Sequence, residues 1–402
     1  MALVAFICVH PRFNAPAAAA TAPEFEKRWL SGVFYGEGAS FADFNRDGKL
    51  DVVSGPYIYE GPEFTVKREI MPREPADPLH YAQNFFTYTG DFDTDGWTDV
   101  FVIGFPGADA HWYQNPGDRK DAGHWKKHLA VKGVDNESPA LVNIVGDGAP
   151  ELLCMNGGRA GYATPDASDP SKPWTFHAVT PNRDFHKFTH GLGAGDVNGD
   201  GKIDLLEKSG WWEQPASSGG EWKQHAVPFS AHGGAQMHIY DVDGDGDNDV
   251  ITSLNAHGFG LAWYEQVKER GGAGGAVTFE QHLILSEDAK TKLGGAQFSQ
   301  LHALELIDMD GDGLKDLLTG KRYWAHGPKG DPEPEAAPVL YWFKLTREAG
   351  GGGGGGTVKF EPRLIDDRSG VGVMVAAQDI NGDKRTDVVV GNKRGTMLFL
   401  SK

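Results

Sequence analysis

Two sets of side chains in this sequence could do chemistry. The first is acidic and recurs: Asp43, Asn45, Asp47 and Asp51; Asp91, Asp93, Asp95 and Asp99; Asp196, Asn198, Asp200 and Asp204; Asp241, Asp243, Asp245 and Asp249; Asp308, Asp310, Asp312 and Asp316; Asp379, Asn381, Asp383 and Asp387. Each quartet fills positions 1, 3, 5 and 9 of a nine-residue loop, with glycine at position 6 except in the last, where Lys384 stands. Oxygens at alternate positions around a sharp turn suit Ca²⁺, which takes six to eight hard oxygen ligands. A worn seventh copy, "NIVGDGAPE" from Asn143, has Val145 at position 3. An EF-hand would need a bidentate glutamate at position 12 between helices; here position 9 is the last acidic ligand and a β-like run follows.

The second set is imidazole. His190, His232, His238, His257, His302 and His326 break the repeat and crowd into its fourth to sixth units. Counting back six residues from the first position of each loop gives equivalent sites: Glu37, Phe85, Glu137, His190, Ala235, His302 and Val373. Two histidines and two glutamates around one channel mouth could hold a second divalent metal, Zn²⁺, Mn²⁺ or Mg²⁺, and leave positions open for substrate. Lys321, Arg322 and Tyr323 follow the second strand of the sixth unit, where cations could steady an enolate or carboxylate. His128, His177, His225 and His282 instead recur in one Trp/Phe-x-x-His slot, so they read as packing. The aromatic pairs Trp112-Tyr113, Trp211-Trp212, Trp263-Tyr264 and Tyr341-Trp342 recur likewise. There is no G-x-S-x-G, no P-loop and no Cys-His nucleophile pair.

The elements that must position these residues are legible as a repeat of about 45 to 70 residues. Each acidic loop is followed by a short apolar run ("DVVSG", "DVFVIG", "DVVVG"), then an aromatic strand ("HWYQNP", "WWEQP"), then a strand such as "WKQH". With the strand before each loop this makes four strands per unit. The expected fold is all-β: a seven-bladed β-propeller of four-stranded blades with Ca²⁺-binding loops. The last unit ends after three strands, and "FEKR" at 25–28 supplies the fourth, closing the ring. Strand direction alternates, so the acidic loops share one face and the irregular histidines fall on the other.

The loop pattern resembles the FG-GAP/VCBS repeat family over roughly residues 25–402. That resemblance implies calcium as scaffold, stapling blades, and leaves function open, because the fold hosts adhesion modules, lectin-like binders and lyases. "HGLGAGDVNGDGKIDLLEKSGWWEQP" and "GKRYWAHGP" are similar to the propeller portion of the aldos-2-ulose dehydratases. It implies metal-assisted β-elimination on a sugar or keto-sugar, with His190, His302 and Glu137 holding a metal, His238 or His257 as base, and Lys321 and Arg322 steadying substrate. A non-catalytic glycan- or protein-binding propeller, and a glycoside hydrolase or sugar isomerase using the same site, remain alternatives.

Composition narrows the partners. The 402 residues carry 38 basic and 56 acidic side chains, a formal charge of −18, with no basic stripe for nucleic acid. Bound divalent ions would offset part of this charge. No apolar run is long enough to span a membrane. Two cysteines, Cys8 and Cys154, imply no disulfide framework. Residues 1–23 read as a leader-like or disordered segment before a propeller at 24–402, which suits a secreted or periplasmic location. "KERGGAGGA", Gly350–Gly356 and the Pro-rich stretch 326–338 read as insertions.

Overall fold

The computed structural model describes residues 23–118, 123–267, 277–348 and 357–402. The leader-like segment (but for its last residue), Cys8, the insertion at 268–276 and the glycine run lie outside them. Twenty-eight strands and one short 3₁₀ turn, Gly327–Lys329, make up the described regular structure.

The strands form antiparallel meanders that run from Ala39 to Glu69, Phe86 to Val131, Ala140 to Ala178, Leu192 to Ala226, Gln236 to Leu285, Leu304 to Asp366 and Ala376 to Ser401. Five of these are separate four-stranded sheets, and the fourth and fifth share one eight-stranded sheet. Their joint is a parallel pairing, Leu192 with Gln236 and Gly193 with Met237. A Cβ at Gly193 would lie 2.1 Å from the Met237 carbonyl oxygen, so only glycine permits this approach. Counted as hydrogen-bonded sheets the described strands make six; counted as meanders, seven.

The N-terminal strand closes the ring as expected. Phe25–Ser31 pairs antiparallel with Gly395–Ser401 and is the outermost strand of the seventh meander. Lys27 ties that seam to Asp366 of the sixth meander at 2.9 Å.

The apolar runs after the loops are second strands, buried along almost their whole length, as in "DVFVI" at Asp99–Ile103 and "DVITS" at Asp249–Ser253. Burial on both faces explains why they lack polar alternation. The fourth strands, such as Lys223–Ala226, lie at the exposed rim. Seven apolar clusters fill the seven interfaces between successive meanders, including the one joining seventh to first through Val52, Tyr59, Val389 and Leu398.

The recurrent histidines are packing residues. His128, His177, His225 and His282 stack on Trp112, Tyr162, Trp211 and Trp263 of the adjoining third strand, with centroids 4.0 to 5.1 Å apart. The aromatic pairs are mostly sealed between meanders: Trp112, Trp211 and Trp342 are each 1% exposed. The Pro-rich stretch is more than an insertion, because Asp331 within it turns back into the site described next.

Candidate functional site

Within the acidic loops the position-9 carboxylates do one job throughout. Asp249 accepts the Val242 N–H at 2.8 Å with one oxygen and the Gln266 N–H at 2.8 Å with the other. Asp51, Asp99, Asp204, Asp316 and Asp387 make the same two bonds at their own loops. Glu151, in the worn copy, also takes backbone N–H groups, from Ile144 and Val145. Position 9 therefore pins the loop whether or not the other oxygens are present. Burial pushes these acids up, Asp51 and Asp204 to about 6, Asp249 and Asp316 to about 7 and Asp99 to about 8.

Position 1 caps the turn, as where Asp196 accepts the Gly199 and Gly201 N–H groups. The position-5 carboxylates Asp47, Asp95, Asp200, Asp245, Asp312 and Asp383 each accept the N–H two residues on. In three loops, at Asp91, Asp93 and Asp99, at Asp241, Asp243 and Asp249, and at Asp308, Asp310 and Asp316, carboxylate oxygens converge within 4.8 Å. In the last, the Lys344 ammonium already bonds Asp310 and Asp312.

At the opposite end, the positions six residues before each loop do converge. Glu37, Phe85, Glu137, His190, Ala235, His302 and Val373 are all buried. Backbone bonds lace the ring: Glu37 N–H to Asn84 carbonyl, Glu137 N–H to Thr189 carbonyl, and Val373 N–H to Glu37 carbonyl. Across it reaches Arg322, 1% exposed, from the end of the sixth meander's second strand. Its Nε donates to Glu37 Oε2 at 2.7 Å, and its Nη1 lies 3.4 Å from Glu137 Oε2 and 3.2 Å from a His302 ring nitrogen. Its Cζ sits 5.2 Å from the Phe85 ring centre.

Against Arg322 stand three imidazoles. One ring nitrogen from each of His190, His257 and His302 lies within 4.8 Å of the others. Burial, reinforced by Arg322 and the neighbouring histidines, holds His302 well below its ordinary pKa. Burial likewise lowers His257, against the opposing pull of Asp331. Both are thus neutral near pH 7, the form that ligates metals. Among the described residues His190 Nε2 is buried with no hydrogen bond, and Glu137 Oε2 lies 3.7 Å from it. Asp331 accepts from His257 Nδ1 at 3.1 Å and His326 Nδ1 at 2.8 Å, and the two rings stack at 4.4 Å. His326 is half exposed, so the cluster opens to solvent on that side.

Several expected members stand elsewhere. Glu137 is beside the histidines, 3.7 Å from His190 and 3.8 Å from His302, but also meets Arg322; His257, from the intervening fifth meander, completes the trio. Burial pushes the Glu137 carboxyl up, yet His190, Arg322 and His257 outweigh it and hold the group at about 2. His238 is outside the cluster, because its strand faces the sixth meander and its Nε2 bonds the Leu304 carbonyl at 2.9 Å. Lys321 turns to Ser299 Oγ at 2.7 Å, and burial lowers it to about 8. Tyr323 stacks on Trp324. His232 is exposed.

Sequence reasoning passed over Asp331 and Lys393. Asp331 carried no signal in a Pro-rich insertion. Lys393-Arg394 repeats the Lys321-Arg322 pair at the end of the next second strand, and that echo could have found it.

No family model matches this chain, and no curated protein matches it. Solved structures share the fold. BBS1N, in its complex with ARL6DN, aligns over 95% of this chain and 97% of its own at 10% identity, with a TM-score of 0.50. An Agrocybe aegerita lectin that recognises non-reducing terminal N-acetylglucosamine covers 86% of this chain and 91% of its own at 16% identity and TM-score 0.45. The exotype rhamnogalacturonan lyase YesX covers 95% of this chain and 74% of its own at 14% identity and TM-score 0.42. At such identities the likeness is one of fold alone.

Proposed function

We propose that this propeller is a carbohydrate-active lyase that performs a metal-assisted β-elimination on a sugar or keto-sugar at the mouth opposite the acidic loops. The observation that carries this reading is the trio His190, His257 and His302: ring nitrogens within 4.8 Å of one another, two of the rings held neutral, the third with a buried nitrogen that makes no hydrogen bond among the described residues and has only Glu137 nearby at 3.7 Å. Three imidazoles with one open side fit a catalytic divalent site, and such donors favour Zn²⁺ over Mn²⁺ or Mg²⁺. Bound there, the ion would polarise a substrate carbonyl oxygen and stabilise the enolate.

The chain's own residues supply the rest. Asp331 orients the His257 ring by bonding Nδ1, the nitrogen that also lies 3.5 Å from His302 Nε2. It also holds His326 through Nδ1, leaving the half-exposed ring's other nitrogen to take the proton α to the carbonyl. The C–H electron pair becomes the new C=C bond, the β C–O bond breaks, and the departing oxygen receives the proton back from His326. Arg322, Glu37 and Glu137 hold the floor of the site rigid.

For the acidic loops we propose structural Ca²⁺. Several loops present oxygens of buried carboxylates with no cationic partner among the described residues, and Ca²⁺ bound only to the folded chain would add stability. The sixth loop, with Lys344 in place, should depend on it least.

A second reading, glycan binding without chemistry, is favoured by one feature. A cavity of about 600 Å³ lies between the first and second meanders on the mouth side, lined by Tyr35, Tyr113, Trp125, His111 and Glu74.

Metal analysis of native protein, paired with near-ultraviolet detection of conjugated products from a panel of keto-sugars and sugar acids, separates these. Catalysis predicts a second metal that His257→Ala/His302→Ala protein lacks, together with loss of product. Calcium alone and no unsaturated product would end the lyase reading and leave the binding one.

A further inference from the structure

We propose that Lys393 and the free Nη2 of Arg322 form a carboxylate-binding subsite beside the histidine trio, so that the substrate is a sugar acid of the uronate type. This rests on the mouth being the substrate site but not on a metal being there. Lys393 is 4% exposed, and its ammonium has no hydrogen-bond acceptor or ion-pair partner among the described residues. It stands over the Tyr81 ring at 4.5 Å, as Arg322 stands over Phe85 at 5.2 Å. The two rings touch, with centres 6.2 Å apart, so two cations sit side by side on one aromatic floor. Tyr81 is pinned by its hydroxyl to the Ala325 carbonyl, which fixes that floor to the segment carrying Arg322 and His326.

Both cations keep unused donors. Arg322 spends Nε on Glu37 and Nη1 on Glu137 and His302, while Nη2 is buried with no hydrogen bond among the described residues. A buried donor left unmatched is costly, so a ligand oxygen that met it would be favoured. A planar carboxylate suits it, because a guanidinium edge and an ammonium can share its two oxygens. Burial lowers Lys393 to about 8, so the amine still carries its proton at neutral pH.

Acids act on Lys393 from a distance: Glu37, Asp331 and Asp77 pull on it electrostatically, and none of them bonds its ammonium among the described residues. Neutralising a substrate carboxylate there also matches what elimination from a sugar acid requires, since it makes the adjacent C–H more acidic.

The test is calorimetric titration of full-length protein, stripped of other metals and kept in calcium, with galacturonic acid, an oligogalacturonide and galactose. Either acid should bind at least tenfold more tightly than galactose. Lys393→Met should weaken acid binding about tenfold without moving galactose binding or the melting temperature, and Lys393→Arg should restore most of it. Equal affinity for acid and neutral sugar, no binding of either acid, or a Lys393→Met protein that binds acid like wild type would overturn the proposal. Absence of a second metal would defeat the lyase reading yet leave this comparison intact.

Discussion

Arg322 and Glu37 meet at 2.7 Å although 285 residues separate them, and both are sealed from solvent. The bond crosses the seam at which the sixth, seventh and first meanders come together. Removing one partner of such a pair strands the other charge, at a cost of about 3–5 kcal/mol. Arg322→Met should therefore lower the urea midpoint sharply. Adding Glu37→Gln should recover much of the loss. A double variant no more stable than the single one would show that the pair is not coupled as described.

The staple and the ligand roles of position 9 can be told apart. Glu151→Ala frees the buried Ile144 N–H and the part-buried Val145 N–H and should destabilise by about 1–3 kcal/mol, equally in calcium and in chelator, because its loop has Val145 where the others have an oxygen ligand. Asp249→Ala should cost more in calcium than in chelator, since it removes a ligand as well. Equal costs for Asp249→Ala in both buffers would argue against calcium in that loop.

Lys384 occupies a left-handed conformation, φ 69°, where the other loops place glycine. A side chain in that region costs about 1 kcal/mol. Lys384→Gly should accordingly raise the melting temperature by about one degree, read by calorimetry. An unchanged or lower value would mean that the side chain returns the strain through contacts of its own.

Glu305 lines the innermost strand of the sixth meander, and burial raises its carboxyl to about 7, with Lys315 only partly opposing. Tyr88 lies within its electrostatic reach. A carboxyl with a raised folded pKa gives full stability below about pH 4.5, which is lost as pH rises through about 7. Glu305→Gln should be close to neutral at pH 4.5 and stabilising at pH 8.5, by about 2 kcal/mol given its partial exposure. A stability difference that does not grow with pH would refute this.

How much of this was legible in advance follows from what periodicity can carry. The nine-residue acidic loops, the apolar second strands and the displaced N-terminal strand each announce a local conformation, because side-chain pattern dictates which faces are buried. Once the repeat is seen, equivalence of position follows, and it placed Glu37, Glu137, His190 and His302 on one ring before any coordinates. The same equivalence marked His225 as packing against Trp211 rather than as chemistry.

What the repeat could not supply is anything non-equivalent. His257 and Asp331 reach the mouth from connections whose length and sequence change from unit to unit, and a loop's path is set by contacts between meanders, not by its own pattern. His238 shows the converse: three residues from its loop, it looked as available as its neighbours, yet the sixth meander's backbone claims it. The sequence by itself determined the strands, the closure and the ring of inward positions, since these depend on burial repeated locally. Only the tertiary structure decided which imidazoles meet, and which cations keep a donor free, because those contacts exist only after the seven interfaces have closed.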